Sequence, residues 1–114
     1  MKTFSVCDRY GKVYNFFIGE SAAENWSLLS KAKQWFYFFH LSNMPSGHGM
    51  LECELNENVP KEVIRICADL VRSNTKYKYY KMLKVDYTPY KNVKRGEKIG
   101  EVIYVSNKRV STIF

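Results

Sequence analysis

The run Trp35-Phe36-Tyr37-Phe38-Phe39 is the longest apolar stretch of the chain, at five residues. It is too short to span a bilayer, which takes about 20 apolar residues in a helix. Continued through Leu41, it reads as a buried strand. The chain is 114 residues long, which allows one ordinary domain with a single core and not two. Hydrophobic residues at 46% and charged residues at 25% lie near the globular average, so neither disorder nor a membrane bundle is favoured. The stretch Met1–Asp8 lacks the apolar core of a signal peptide. Cys7, Cys53 and Cys67 are odd in number and form no Cys-x-x-Cys pair. A disulfide framework is therefore not expected, and a reducing, cytoplasmic setting is. All three thiols are read as small buried apolar side chains.

Around the aromatic strand, residues 3–7 and 12–18 are β-rich runs joined by Asp8-Arg9-Tyr10-Gly11, which reads as a hairpin turn. Ser21 with Glu24 three residues on forms a capping-box pattern for a helix over about 22–33, with Ala22, Trp26 and Leu29 on one face. Asn43–Gly49 is a loop in which Gly47 and Gly49 permit positive φ. Met50, Leu51, Cys53 and Leu55 predict the next strand, with Glu52 and Glu54 on its other face. The clearest helix starts at Pro60 and repeats Val63, Ile64, Ile66, Cys67, Leu70 and Val71 at helical spacing, ending at Ser73-Asn74. Residues 80–87 read as a strand carrying Met82, Leu83 and Val85, broken by Thr88-Pro89. A Lys- and Gly-bearing loop or short turn fills 91–100. Glu101–Val105 and Arg109–Ile113 alternate across Ser106-Asn107-Lys108 as a hairpin. The expected architecture is one α+β domain over 1–114, a mixed, mainly antiparallel sheet packed with two helices. There is no internal repeat, low-complexity tract or linker.

Charge is divided unevenly. Residues 1–59 carry five basic and six acidic residues, whereas 60–114 carry thirteen basic and five acidic. Within 72–98, nine basic residues face only Asp86 and Glu97, and Tyr77, Tyr79, Tyr80, Tyr87 and Tyr90 are interleaved with them. Lysines take phosphates and release counterions, and phenol rings stack on unpaired bases, so this pattern points to a nucleic-acid surface. The alternative is a solvated Lys/Tyr-rich strand with tyrosines facing a core.

Other chemistry has less support. His40 and His48 flank the Pro45-Ser46-Gly47 loop, and a hairpin could bring them together. No carboxylate lies between them and their spacing matches no zinc pattern, so no metal is expected. Ser46 beside His48 lacks an orienting third group and a strand–elbow–helix frame. A nuclease with His40 or His48 as general acid or base remains the enzymatic alternative. Backbone N–H groups near Gly47 and Gly49 could form a small anion nest. No phosphate-loop or dinucleotide motif occurs, and no cofactor or small-molecule substrate is implied.

Four stretches resemble the NFACT-R domain, the RNA-binding module of the NFACT family, which includes ribosome-quality-control factors and small stand-alone proteins. Gly19–Asn25 is similar to the family's Gly-Lys/Arg-x-x-x-x-Asn segment. Phe38-Phe39-His40-Leu41 with Pro45-Ser46-Gly47-His48 resembles its Trp-Phe-His-Val and Pro-Gly-Ser-His pair, with Phe38 in place of Trp and the Gly-Ser order inverted. Thr75-Lys76 stands where the family has Ser-Lys. Val85-Asp86-Tyr87-Thr88, Lys91-Asn92-Val93-Lys94-Arg95 and Gly100-Glu101-Val102-Ile103-Tyr104 are close to its most specific signature.

The resemblance implies RNA binding, to transfer or ribosomal RNA, with DNA left open and the ribosome or its associated proteins as further partners. Lys76, Lys78, Lys81, Lys91, Lys94 and Arg95 would contact phosphates from one exposed patch. His40, Ser46 and His48 would order the loop or touch the backbone, and Tyr87 or Tyr90 would stack on a base or, for Tyr87, join the core. Asp86 and Asn92 are read as hydrogen-bonding anchors of the turn, Asn92 within the binding surface. Docking of the basic face on an acidic protein is the third alternative.

Overall fold

The computed structural model describes residues 1–99 and 101–114. Gly100, at the head of one signature stretch, lies outside the described residues. Strands β1 (Lys2–Cys7) and β2 (Val13–Ile18) form the first hairpin. Its turn is closed by the Asp8 carboxylate, which accepts from the backbone N–H of Tyr10 at 2.8 Å and of Lys12 at 2.9 Å. Gly11 there takes φ +87°, a conformation open to glycine at little cost. Helix α1 (Ala22–Lys31) follows. Ser21 Oγ accepts from Glu24 N–H at 3.1 Å, and Glu24 Oε1 accepts from Glu20 N–H at 2.8 Å, which realises the capping pattern.

Strands β3 (Tyr37–Leu41) and β4 (Gly49–Leu51) come next, then helix α2 (Lys61–Ser73) and strand β5 (Val85–Pro89). Strands β6 (Val93–Arg95), β7 (Val102–Tyr104) and β8 (Ser111–Ile113) complete the chain, with single 3-10 turns before β6 and β8. Six strands form one sheet in the order β1-β2-β4-β3-β5-β8, and β6 pairs with β7 in a separate ribbon. Every pairing is antiparallel. The α+β reading with two helices holds. No helix among the described residues is long and apolar enough to cross a membrane.

Alternation along β3 fixes the layers. Tyr37, Phe39 and Leu41 face α2 together with Phe16, Leu51, Val63 and Cys67. Phe38 faces the other way, into a second core with Met50, Leu28 and Leu29, closed by Tyr90, Val93 and Tyr104. The sheet therefore lies between α2 on one side and α1 with the β6–β7 ribbon on the other. Phe38 and Phe39 are both fully buried, which is why this strand is a continuous apolar run.

Several expectations are corrected. The alternating segments near the C-terminus do not pair with each other: β7 pairs with β6, and β8 with β5 at Asp86–Thr112. Three-residue strands carry too little pattern to specify a partner. Residues 80–84 are not strand, since Met82 sits at φ +59° and is exposed. Thr88-Pro89 ends β5 from within, and Pro89 is its last residue. The strand at 50–55 shortens to Gly49–Leu51, and Leu55 is exposed. On α2, Ile66 is 41% exposed and outside the core. Cys7 is exposed, Cys53 half-buried, and only Cys67 buried; all three are free thiols. Gly47 and Gly49 do not take positive φ. A Cβ on Gly49 would meet the Phe16 ring at 2.6 Å, and one on Gly47 the Gly19 carbonyl oxygen at 2.2 Å. Both glycines serve close approach of protein to protein.

Truncating Phe39→Ala removes a ring that meets Phe16 edge-on at 5.3 Å, and should cost about 3–5 kcal/mol. Ile66→Ala should cost about 0.5 kcal/mol or less, as a change at an exposed site does. Urea denaturation of the two variants checks that Phe39 is buried against α2 and that Ile66 lies outside that core.

Candidate nucleic-acid interface

Cross-strand register places the two histidines side by side. Phe39 pairs with Gly49, so His40 and His48 follow one step beyond, their rings 5.3 Å apart. On the other side of β3, His40 pairs with Asp86. Asp86 in turn accepts from Thr112 Oγ1 at 2.9 Å. His48, one residue before β4, and His40, Asp86 and Thr112 on β3, β5 and β8 thus form a polar row across the sheet.

The row is buried at its His48 end, half-buried at His40 and Asp86, and open to solvent at Thr112. His48 is 2% exposed, with its ring edge-on to Phe38 at 5.1 Å. Its Nδ1 has no hydrogen-bond partner among the described residues. Its backbone N–H donates to Asn25 Oδ1 at 3.1 Å, and its carbonyl accepts from Gly19 N–H at 3.0 Å. Gly19 lacks a side chain for a stated reason: a Cβ there would sit 2.1 Å from Asn25 Oδ1. The motif residues Gly19, Asn25, Gly47 and His48 are one internal knot joining β2, α1 and β4. His40 Nδ1–H donates to the Leu41 carbonyl at 2.7 Å. Burial lowers the pKa of both imidazoles, that of His48 to about 3, with His40 beside it acting in the same sense. The ribbon's Tyr104 phenol is raised, by burial first and then by the Asp86 charge. Direct contact of His48 with a nucleic-acid backbone is corrected by this burial; the histidine holds the loop from inside.

The other candidate residues separate into distinct places, which corrects the single patch. Asn92 is buried, and its side chain is fully engaged: Nδ2 donates to Thr88 Oγ1 at 3.0 Å and to the Ser106 carbonyl at 2.8 Å, and Oδ1 accepts from Ser106 N–H at 2.8 Å. It is an anchor, as read, but not part of an outer surface. Tyr87 is half-buried and stacks on Phe39 at 5.6 Å, so it belongs to the core. Tyr90 packs against the second core. Ser46 Oγ accepts from Leu41 N–H at 3.1 Å and donates to the Gly47 carbonyl at 3.0 Å, which closes its own loop. Ser46 and Lys76 share the rim of a groove of about 480 Å³ with Ser21 and Lys2. Lys91 follows β5, whereas Lys76, Lys78 and Lys81 precede it, so the strand's five residues separate them. Lys94 and Arg95 lie on β6, in the layer opposite α2. The Arg95 guanidinium lies 5.0 Å over the Trp26 indole.

The exposed feature with both charge and aromatic surface is the connection from α2 to β5. Tyr77 packs against the main core and Leu83 is buried within it. Between and around these two anchors, Lys76, Lys78, Tyr79, Tyr80, Lys81, Met82 and Lys84 are all exposed. Arg72 secures the loop: Nε donates to the Leu83 carbonyl at 2.8 Å, Nη2 to the Ile113 carbonyl at 2.9 Å, and Nη1 pairs with Asp69 at 2.6 Å. None of the loop lysines joins the ion pairs formed among the described residues, which use Met1, Arg9, Lys12 and Arg72. Sequence reasoning counted Tyr79 and Tyr80 in the basic stretch but chose Tyr87 and Tyr90 as ring contacts, and it passed over Lys84. The spacing Lys-Tyr-Lys-Tyr-Tyr-Lys directly after a helix end, without alternating apolar partners, was the available signal.

A neutral, buried His48 makes stability fall on acidification. Its pKa in the folded chain, about 3, lies below the ordinary value of about 6.5. Between these values the unfolded chain binds the proton and the folded chain does not. Stability is therefore full above about pH 6.5 and declines as pH falls toward 3. Urea midpoints at pH 7.5 and pH 5.5 should show this loss in the parent chain and a smaller one in His48→Gln. An equal loss in both would remove the assignment.

No family model matches the chain. In sequence it is similar to coiled-coil domain-containing protein 25 of Bos taurus, 30% identical over 107 residues, covering 88% of this chain and 51% of that protein. The Mus musculus protein of the same name is 29% identical over 107 residues with the same coverage. The chain spans about half the length of the curated relatives it matches. In structure it is similar to the C-terminal part of the fibronectin/fibrinogen-binding protein from Streptococcus suis, with a TM-score of 0.80, 23% identity, and coverage of 99% of this chain and 45% of that one. The chain is thus a distant homologue of coiled-coil domain-containing protein 25 and shares a fold with the streptococcal protein's C-terminal part.

Proposed function

We propose that the chain is an NFACT-R-like RNA-binding module whose contact surface is the loop between α2 and β5. The observation that carries this reading is the set Lys76, Lys78, Lys81 and Lys84, exposed and outside the chain's own ion pairs, on one anchored loop. Lysines without carboxylate partners are free to neutralise phosphates and so release the cations condensed along a nucleic-acid backbone. The net charge of +7 adds a long-range attraction for polyanions. The NFACT-R-like motifs favour structured RNA, transfer or ribosomal, over DNA. In this reading the protein positions RNA and supplies no chemistry; of the two histidines of the enzymatic alternative, His48 is shut away from solvent and His40 is half-buried.

Binding of a labelled transfer RNA, followed by fluorescence anisotropy against salt, tests the reading. Affinity should fall steeply with salt, and the double variant Lys78→Glu/Lys81→Glu should flatten the log–log slope by about 1 for each lysine. The double variant Lys94→Glu/Arg95→Glu should change affinity much less. Loss confined to the second variant would move the interface to the ribbon, and absence of binding by the parent chain would overturn the reading.

A further inference from the structure

We propose that Tyr79 and Tyr80 form a stacking platform for unpaired bases, so that the loop selects single-stranded over double-stranded segments. This rests on the nucleic-acid reading above and adds the class of ligand it takes. Tyr79 is 87% exposed and Tyr80 60%. Neither phenol belongs to the two cores. Two large rings held in water on adjacent residues leave apolar surface that folding does not bury.

The Tyr80 ring is held in place. Tyr77 is seated against the core and meets Tyr80 edge-on, ring centroids 5.3 Å apart at 70°. A backbone hydrogen bond from Tyr80 N–H to the Tyr77 carbonyl, 2.8 Å, closes the turn between them. A ring oriented before binding loses less freedom when a base settles on it. Lys78 Nζ lies 5.2 Å from the Tyr79 centroid, which brings a cation for phosphate beside a ring for the base. A shallow, open depression adjoins this ring, lined by Tyr79, Lys78 and the end of α2 at Arg72 and Ser73.

Bases in a duplex already stack on each other and offer only their edges, whereas an unpaired base offers a face. Lysines alone would favour the duplex, whose phosphates are more densely spaced, so a preference for the single strand needs another source. The rings supply the discrimination.

The experiment measures anisotropy for three labelled probes of one sequence: single-stranded RNA, single-stranded DNA, and RNA annealed to its complement. The parent chain should bind the single strands more tightly than the duplex. Tyr79→Ala/Tyr80→Ala should weaken single-strand binding about tenfold or more while leaving the duplex nearly unchanged. Tyr79→Trp, which keeps a stacking face, should retain the preference. Both positions are exposed, and matching circular dichroism spectra will show that folding is intact. Equal affinity for strand and duplex, or a double variant that loses nothing, overturns the platform while leaving phosphate binding standing. Absence of binding to all three probes overturns both. The DNA arm reads whether the 2′-hydroxyl contributes, and a single-strand preference shared by RNA and DNA supports the platform equally.

Discussion

Burial of β3 on both faces is the constraint from which the rest of the molecule follows. Phe38 and Phe39 point in opposite directions and both lie fully inside. One helix cannot cover both. The amphipathic α2 takes the Phe39 side, and α1 with the β6–β7 ribbon closes the Phe38 side. That closure buries His48 and half-buries His40, and burial favours the neutral imidazole. It also leaves polar chemistry on the outside to the connections, of which the longest lysine-bearing one follows α2.

Elements whose pattern is complete within their own residues were legible in the sequence. The α2 stripe, the Asp8–Gly11 turn, the Ser21–Glu24 cap and the aromatic strand each carry a local reason. Elements defined by a distant partner were not. Glu101–Val105 and Arg109–Ile113 alternate well enough to suggest a mutual hairpin, yet Val102 meets Arg95 and Thr112 meets Asp86. Alternation states which face is buried, not which strand lies alongside. Residues 80–84 misled for a related reason: Leu83 is buried, but Met82 adopts a left-handed backbone that interrupts a strand.

The candidate site shows the same division. Adding up charge located the basic half correctly but could not separate the faces, so Lys94 and Arg95 were grouped with lysines that lie across the sheet. The family-like motifs were legible as residues, and the structure gives most of them inward duties. Gly19, Asn25 and His48 tie three elements together, and Thr88, Asn92 and Ser106 tie β5 to the segment after β7. Tyr79 and Tyr80 lie outside the quoted motifs, in a loop anchored by Tyr77, Leu83 and Arg72. A fixed frame with a separately specified contact loop is the usual arrangement where binding residues sit on connections.

The loop's own electrostatics argue in the same direction. Lys76, Lys78, Lys81 and Lys84 repel one another over nine residues, and no carboxylate of the described ion pairs answers them. Lys76 and Lys78 lie over the rings of Tyr77 and Tyr79, at 5.2 Å each, and Lys84 over Phe114 at 4.8 Å. At exposed sites such contacts return only about 0.5–1 kcal/mol. They hold the cations near aromatic faces without neutralising them. Asp69, the nearest acidic residue on α2, is already bound to Arg72, and that pairing leaves Arg72 free to clasp Leu83 and Ile113. The Asp69 carboxylate is thus committed to fixing the loop's position, and the positive charge it could have cancelled stays available to an external anion.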